Sequence, residues 1–199
     1  IDPIRFITNK SSGKQGYEIA KSLYKKGFDT TLISGPTSLS INEDIKLIKV
    51  ETADQMLVAT QENLPADVAI FSAAVADFRI NKKFKNKIKK QDFLKLDLEK
   101  NLDILSYVSN HNSMRPNLVI GFAAETDKIE LNAKEKLNKK NCDWIIANDV
   151  SNRKIGFGSD YNEVTIHYKN QDIKPENLSY KKKSEISDEI VDRIIYQLN

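Results

Sequence analysis

Hydrophobic residues follow two spacings along the chain, one typical of helices and the other typical of strands. Spacings of three and four predict helices over residues 17–26, 52–63, 102–111, 127–140 and 184–198. Short apolar runs predict strands between them, at residues 30–34, 45–50, 67–72, 117–122 and 144–147. Residues 4–8 are either one more short strand or an extended approach to the loop that follows, and residues 163–169 alternate as an antiparallel or edge strand does.

This alternation of strands and helices predicts an α/β protein. We expect a Rossmann-like three-layer fold with a mostly parallel sheet and an antiparallel extension near the C-terminus. The run 67–72 is continuously apolar, which is typical of a strand covered on both faces. Neither a repeat nor a low-complexity linker divides the chain, so we expect one domain over residues 1–199. Its abrupt start at Ile1-Asp2-Pro3 suggests a fragment of a longer chain.

Composition and charge narrow the class of protein. A chain of 199 residues that is 40% hydrophobic and 30% charged is ordinary for a globular protein, and a net charge of +3 is too small to predict nucleic-acid binding. The single cysteine, Cys142, excludes an internal disulfide. His111 and His167 lack metal-ligand spacing with it. With neither a membrane-spanning run nor a signal-peptide pattern, we expect a cytoplasmic protein.

The clearest candidate for chemistry is the turn before the first helix, Ser11-Ser12-Gly13-Lys14-Gln15-Gly16. Free backbone N–H groups and the helix dipole make such a turn suitable for an anion, and small residues let a phosphate approach the backbone. It is not a Walker A loop, because Gln15 follows Gly13-Lys14 and no glycine stands at position 8. Nor is it a full G-x-G-x-x-G, because Ser11 replaces the first glycine. A tight turn without a ligand is the alternative.

Four predicted strand ends are small or polar, namely Thr8-Asn9, Ser72-Ala73-Ala74, Gly121-Phe122-Ala123 and Ala147-Asn148-Asp149. Ligands of open α/β sheets bind beyond the carboxyl ends of the strands, so these ends predict a shared ligand groove.

Lysines are concentrated in two places. Six lie between Lys82 and Lys90, in a segment that is a solvated loop, a nucleic-acid patch or a lid over a polyphosphate. Only Phe84 is interleaved there, so the stacking platforms of a single-strand binder are missing. Lys136 and Lys140 lie on one helix face, which is either solvated or directed at one anion.

Five stretches in order resemble the phosphopantothenate–cysteine ligase family, also called phosphopantothenoylcysteine synthetase. They are residues 2–9 with 11–14, Ala73-Ala74-Val75-Ala76-Asp77, Lys87-Ile88-Lys89-Lys90, Gly121-Phe122-Ala123-Ala124-Glu125-Thr126 and Ala147-Asn148-Asp149-Val150-Ser151. In many bacteria this ligase is the C-terminal half of a fusion with a flavin-dependent decarboxylase. The resemblance therefore implies a part of a bifunctional protein, with FMN only if a decarboxylase domain lies upstream.

The resemblance implies two half-reactions. The carboxylate of 4′-phosphopantothenate attacks the α-phosphate of CTP in the presence of Mg²⁺, giving an acyl-cytidylate and pyrophosphate. The amine of L-cysteine then displaces CMP and forms an amide. CTP rather than ATP follows from the closeness to the bacterial fusion type. The family is dimeric, so we expect a homodimer, without a nucleic-acid or membrane partner.

The resemblance also implies roles for individual residues. Asn9 and Lys87 are the expected catalytic residues: Asn9 holds the activated acyl group, with Ala74 also at the substrate, and Lys87 clamps the nucleotide. The expected nucleotide-binding residues are Ser12, Gly13, Phe71, Ser72, Ala73, Asp77, Lys87, Asn101, Leu102, Asp103, Ile104, Phe122, Lys136 and Lys140. No metal ligand is assigned.

The chain departs from the family at two places. Asn101-Leu102-Asp103-Ile104 stands where the family has Asn-Pro-Asp-Ile, so the restraint of a proline is lost. The family's first strand, which normally precedes the Asp-Pro-x-Arg segment, is not in this sequence, and we expect the sheet to lack a strand.

Two other functions stay open. An NAD(P)-binding oxidoreductase would need an acidic residue about 20 residues past the loop, where the chain offers only Asp29. A non-enzymatic nucleic-acid module would use the lysines between Lys82 and Lys90.

Overall fold

The structure is a computed structural model that describes residues 1–89, 95–125, 127–149 and 158–199. Over these residues the helices are α1 (Lys14–Lys25), α2 (Ala53–Glu62), α3 (Ile104–Ser109), α4 (Ile129–Lys140) and α5 (Lys183–Leu198). The strands are β1 (Thr31–Ser34), β2 (Lys46–Lys49), β3 (Val68–Phe71), β4 (Phe78–Ile80), β5 (Leu98–Lys100), β6 (Leu118–Glu125), β7 (Trp144–Asp149), β8 (Tyr161–Tyr168) and β9 (Glu176–Lys182). Lys90, Thr126, Val150 and Ser151, all quoted in the family motifs, lie outside the described residues.

A five-stranded sheet with the order β3-β6-β7-β8-β9 forms the centre of the molecule. Strands β3, β6 and β7 are parallel, whereas β8 and β9 are antiparallel additions. The predicted α/β fold with an antiparallel extension near the C-terminus is therefore confirmed. Strand β9 was not predicted, because its residues are mostly polar or charged and only Leu178 among them is buried.

Helices cover both faces of this sheet, as a three-layer fold requires. Successive side chains of a strand point to opposite faces, so Ile120 and Ile146 pack toward α1 and α5, while Val119 and Ile145 pack toward α4. The first core includes Ile19 from α1 together with three α5 residues, Ile186, Ile190 and Ile194. The second core includes Ala133 and Leu137 of α4.

Two smaller sheets lie beside the central one. Strands β1 and β2 pair in parallel, and β4 and β5 pair antiparallel at the base of the lysine-rich segment. Within the described residues, β3 pairs only with β6, and all four of its residues are partly exposed. The expectation that this strand is covered on both faces is nevertheless confirmed, since Val68 and Ile70 pack against one core and Phe71 packs against the other. The partial exposure follows from the position of β3 at the edge of the described sheet.

Residues 4–8 form no strand in the structure. Ile4 is 60% exposed and Phe6 is 75% exposed, and this stretch pairs with no strand of the described chain. The strand alternative is therefore wrong, and the segment is an extended approach to the turn before α1. Its apolar residues do not make it a strand because no partner strand lies beside it.

The predicted end of one strand was wrong. Residues 121–123 lie inside β6, which continues to Glu125 because Ala123 pairs with Ala147 and Glu125 pairs with Asp149 of β7. The prediction that the next strand ends in Asn148-Asp149 is confirmed, since β7 ends at Asp149.

Local signals set several helix boundaries. Gly27 follows α1 with a φ of 87°, and Thr52 and Gln55 form the expected capping box at α2. Helix α3 is shorter than predicted, since the Asp103 carboxylate accepts the Ser106 N–H and starts the helix at Ile104. None of the helices in the described part of the chain is long and apolar enough to cross a membrane.

Packing leaves no room for a side chain at position 121. A Cβ at this position would lie 2.6 Å from Leu105 Cδ2 and 2.8 Å from Ile145 Cδ1. We expect Gly121→Ala to lower the free energy of unfolding by about 1–3 kcal/mol, since the neighbouring side chains must shift. Urea denaturation measures this change. Gly35→Ala is the matched control, because its Cβ would meet only Met56 Cε at 4.0 Å; equal stability of the two variants would contradict the packing argument.

Candidate functional site

The turn before α1 lies against the carboxyl end of β3. A Cβ on Gly16 would be 2.6 Å from Ser72 Oγ, so the first turn of the helix and Ser72 are in close contact. This contact brings together two of the predicted strand ends, the 9–16 loop and the residues that follow β3.

The turn itself is held in one conformation. Gly13 has a φ of 74°, in the left-handed region that favours glycine, and the Ser11 hydroxyl accepts the Gly13 N–H at 3.3 Å. The Thr37 hydroxyl donates to the Ser12 carbonyl at 3.2 Å. Helix α1 has neither a side-chain cap nor an acidic residue in its first turn. Its N-terminus therefore presents amides and a positive dipole end that an anion would satisfy.

Lys14 is directed elsewhere. Its ammonium donates to the Gly158 carbonyl at 2.8 Å and to the Asp160 carboxylate at 2.6 Å. This hydrogen bond from Lys14 lowers the pKa of Asp160. Lys14 thus fixes the start of β8 to α1 and does not act as the lysine of a Walker A loop would.

Asn9 lies against the segment that follows β3. Its amide nitrogen donates to the Val75 carbonyl at 3.1 Å, and the residue is otherwise exposed. From the other side, the Asn101 amide donates to the Ala76 carbonyl at 2.7 Å. Residues 73–77 are therefore held between two asparagines, as the shared-groove hypothesis requires for this part of the chain.

Two polar groups around this segment accept no hydrogen bond from the described residues. Asn101 Oδ1 is buried and accepts no hydrogen bond within the described residues. Asp77 is exposed, and its carboxylate has no partner among those residues. An acceptor of this kind suits the amino and hydroxyl donors of a nucleoside.

The two lysines of α4 are each paired with a separate carboxylate. Lys136 contacts Glu125 at 2.5 Å, and Lys140 contacts Asp103. Burial by itself raises the pKa of Asp103, but hydrogen bonds from Lys140 and Ser106 outweigh it and the pKa is lowered. A phosphate would have to compete with these carboxylates, and the nucleotide contacts of both lysines stay predictions.

The remaining predicted nucleotide-binding residues differ in burial. Ile104 is 6% exposed, so its side chain belongs to the core, whereas Leu102 is 51% exposed. Phe71 and Phe122 are partly buried and pack against opposite core clusters. The structure leaves only a limited surface of these two rings for a ligand.

The lysine-rich segment extends outward from β4 and β5. This segment comprises residues 82–90, and in its described part, residues 82–89, every residue is exposed except the half-buried Ile88. Lys87 has no hydrogen bond or ion pair with any described residue and is therefore a free cation. Asp2 and Arg5 hold the segment at Ile88 through hydrogen bonds. Both residues belong to the first family motif, but no role for them could be predicted from the sequence.

Groups suited to metal or thiol chemistry lie away from this region. Cys142 is completely buried, and burial raises the pKa of its thiol to about 11. His167 is buried as well, and burial lowers its pKa. Across the described ranges, no three or more His, Cys, Asp or Glu side chains come together as a metal site.

Comparison with known proteins gives the context for this geometry. The family described as "DNA/pantothenate metabolism flavoprotein C-terminal domain" matches residues 1–198. The chain belongs to this family. The chain is 41% identical over 197 residues to the "Coenzyme A biosynthesis bifunctional protein CoaBC" of Haemophilus influenzae, and the match covers 98% of the chain and 48% of that relative. For the protein of the same description in Bacillus subtilis the identity is 42% over 197 residues, with the same coverage of 98% and 48%.

A solved structure supports the same family membership. The crystal structure of the C-terminal domain of a CoaBC protein superposes with a TM-score of 0.80 at 36% identity, covering 100% of this chain and 89% of that chain. The family resemblance deduced from the sequence motifs is thus confirmed. The chain spans about half the length of the curated relatives that it matches.

Proposed function

We propose that this chain is a phosphopantothenate–cysteine ligase of coenzyme A biosynthesis that uses CTP. One observation carries the proposal: Asn9, residues 73–77 and the uncapped first turn of α1 meet at the carboxyl end of β3. Ligands of α/β sheets bind at such ends. The names of the relatives, coenzyme A biosynthesis bifunctional proteins, support the same reaction.

In the first half-reaction, the triphosphate of CTP would bind at the N–H groups of residues 11–14. The phosphopantothenate carboxylate then attacks the α-phosphorus, and the bond to pyrophosphate breaks as the new P–O bond forms. Such a transfer depends on positioning and on neutralisation of the phosphate oxygens. Ser12 and Gly13 would supply backbone donors, the Gly13 N–H exchanging the Ser11 hydroxyl for a phosphate oxygen, and Lys87 would supply a positive charge.

The other predicted residues would form the nucleoside side of the site. Ser72, Ala73 and Asp77 follow β3 directly, and Asn101 is hydrogen-bonded to the same segment. Phe71, Leu102, Asp103, Ile104, Phe122, Lys136 and Lys140 complete the proposed nucleotide-binding set. Mg²⁺ would be held by triphosphate oxygens and water.

In the second half-reaction, the L-cysteine amine attacks the acyl carbon, and the C–O bond to CMP breaks. Asn9, with Ala74 beside it, would hold the acyl group. One N–H of the Asn9 carboxamide is engaged by the Val75 carbonyl. The second N–H is free to donate to the acyl oxygen, where charge develops in the transition state.

The place of the chain in a longer protein is part of the proposal. We propose that residues 1–199 form one ligase domain of a bifunctional protein and that FMN belongs to its decarboxylase part. We also propose a homodimer, because large apolar residues of the N-terminal segment and of β4 and β5 are exposed, among them Phe6 at 75%, Phe78 at 47% and Leu98 at 51%.

The oxidoreductase alternative finds no support in the geometry. A ribose-binding acidic residue must lie at the carboxyl end of the neighbouring strand, but Asp29 precedes β1 and Ser34 ends it. A nucleic-acid module also gains no support, because Phe84 is the only aromatic residue in the lysine-rich segment.

Pyrophosphate release from the purified chain tests the proposed function. With CTP, Mg²⁺ and 4′-phosphopantothenate we expect release of about one pyrophosphate per site, and continuous turnover once L-cysteine is added. ATP in place of CTP tests the choice of base. Absence of release, or release that does not require phosphopantothenate, would overturn the proposal.

A further inference from the structure

The side chains of the N-terminal segment bind the lysine-rich segment at Ile88. The Ile88 N–H donates to Asp2 Oδ2 at 3.0 Å, and the Ile88 carbonyl accepts from Arg5 Nη2 at 2.9 Å. Both backbone polar groups of one residue are thus satisfied by the same pair of side chains. A further hydrogen bond joins the Phe84 N–H to the Ile1 carbonyl at 3.0 Å.

Asp2 is the centre of this contact. Its carboxylate accepts the N–H groups of Ile4 and Arg5, each at 2.9 Å, and the Arg5 Nε at 3.0 Å, besides the Ile88 N–H. The Asp2 side chain is 0% exposed. Hydrogen bonds from Arg5 and Ile88 hold the pKa of Asp2 far below its usual range, so the carboxylate stays charged throughout the neutral pH range.

The hydrogen bonds from Asp2 and Arg5, which we call the grip, fix a short stretch of an otherwise exposed segment. Ile88 stands directly between Lys87 and Lys89, and it is the one half-buried residue of the described range 82–89. Fixing its N–H and its carbonyl orients the two planar peptide units that join Ile88 to Lys87 and to Lys89. The flexible side chain of Lys87 remains free, but the position from which it reaches out is set.

The same N-terminal segment also carries Asn9. Four residues after Arg5, the Asn9 amide contacts the Val75 carbonyl at 3.1 Å. Four residues of extended chain span about 13 Å. Residues 2–9 thus form one continuous segment that contacts the lysine-rich segment at one end and the residues after β3 at the other.

We propose that Asp2 and Arg5 are positioning residues that hold Ile88 so that Lys87 is presented to the nucleotide bound beside Asn9. The inference rests on the proposed function for the role of Lys87, whereas the grip itself is a property of the fold. Neither Asp2 nor Arg5 contacts the reacting atoms in this account; they act through the backbone of the lysine-rich segment.

The test uses Asp2→Asn, which keeps the size of the side chain but removes its charge. We expect the KM for CTP to rise about tenfold, the factor that loss of one charge-assisted hydrogen bond implies, with kcat within a few-fold of wild type. Trypsin should cleave the lysine-rich segment several-fold faster, because Ile88 is released. Arg5→Lys, which keeps a positive charge, should give a smaller rise in KM than Arg5→Gln.

Asp192→Asn is the matched control, since it removes the same charge from an exposed pair with Lys26. The melting temperature of each variant shows whether the fold is intact. Wild-type KM and wild-type cleavage in Asp2→Asn would overturn the inference. If the wild-type chain releases no pyrophosphate, the proposed function fails separately, and the rate of tryptic cleavage alone decides whether Asp2 holds the segment.

Discussion

Replacing Asn9 by aspartate is expected to slow amide formation by about 10²–10³-fold, the effect of removing one oxyanion donor. The substitution exchanges a carboxamide that donates for a carboxylate that only accepts, and it places a negative charge beside the acyl oxygen. Pyrophosphate release should fall much less, because the first half-reaction depends on the turn before α1 and on Lys87. Acyl-cytidylate should therefore accumulate, and quench-flow analysis with separate measurement of pyrophosphate and amide product detects it.

Asn112→Asp is the matched control for this experiment. Asn112 is exposed and lies in the connection that leads into β6, at the opposite end of that strand from the proposed site. The same chemical change there should leave both half-reactions at the wild-type rate. Equal losses of pyrophosphate release and amide formation in Asn9→Asp would remove Asn9 from the proposed role, provided that the variant melts at the wild-type temperature.

Substitution of Lys87 by glutamine should raise the KM for CTP at least about tenfold. Lys87 is exposed and has no partner among the described residues, so its charge is available to the triphosphate at no cost to another ion pair. A hydrogen bond to a charged group contributes about 1.5–3 kcal/mol, which corresponds to a factor of about ten to a hundred. Steady-state kinetics with CTP as the varied substrate measure the effect.

Lys82→Gln serves as the control for general electrostatics, because it removes the same charge from the same exposed segment. It should change the KM for CTP no more than about twofold. If the two variants behave alike, the segment attracts CTP only by its net charge, and Lys87 has no specific role.

Local signals in the sequence predicted those parts of the fold that depend on neighbouring residues. The capping box at Thr52, the glycine after α1 and the apolar spacing of α5 all act within one helix, so their outcome could be deduced. Strand β9 could not, since Glu176–Lys182 is polar and is a strand only because β8 lies beside it. Residues 4–8 are the reverse case, since their residue types favour a strand but no strand of the described chain pairs with them.

Some residues of the candidate site could likewise be predicted from the sequence, whereas others could not. Gly13, Ser72 and Asn9 could be identified because their residue types are required by the turn and by the family motif. The partners of Lys136 and Lys140 could not, because Glu125 and Asp103 are distant in sequence and meet the lysines only when α3, α4 and β6 pack. The link between Asp2 and Ile88 joins residues 86 apart in sequence, and no spacing rule indicates it.

A crystal structure of the chain with CTP and Mg²⁺ bound tests the central claim most directly. We expect the triphosphate beside the amides of residues 11–14 at the carboxyl end of β3, with the Lys87 ammonium within hydrogen-bonding distance of a phosphate oxygen. A triphosphate bound at any other surface of the molecule would contradict the account.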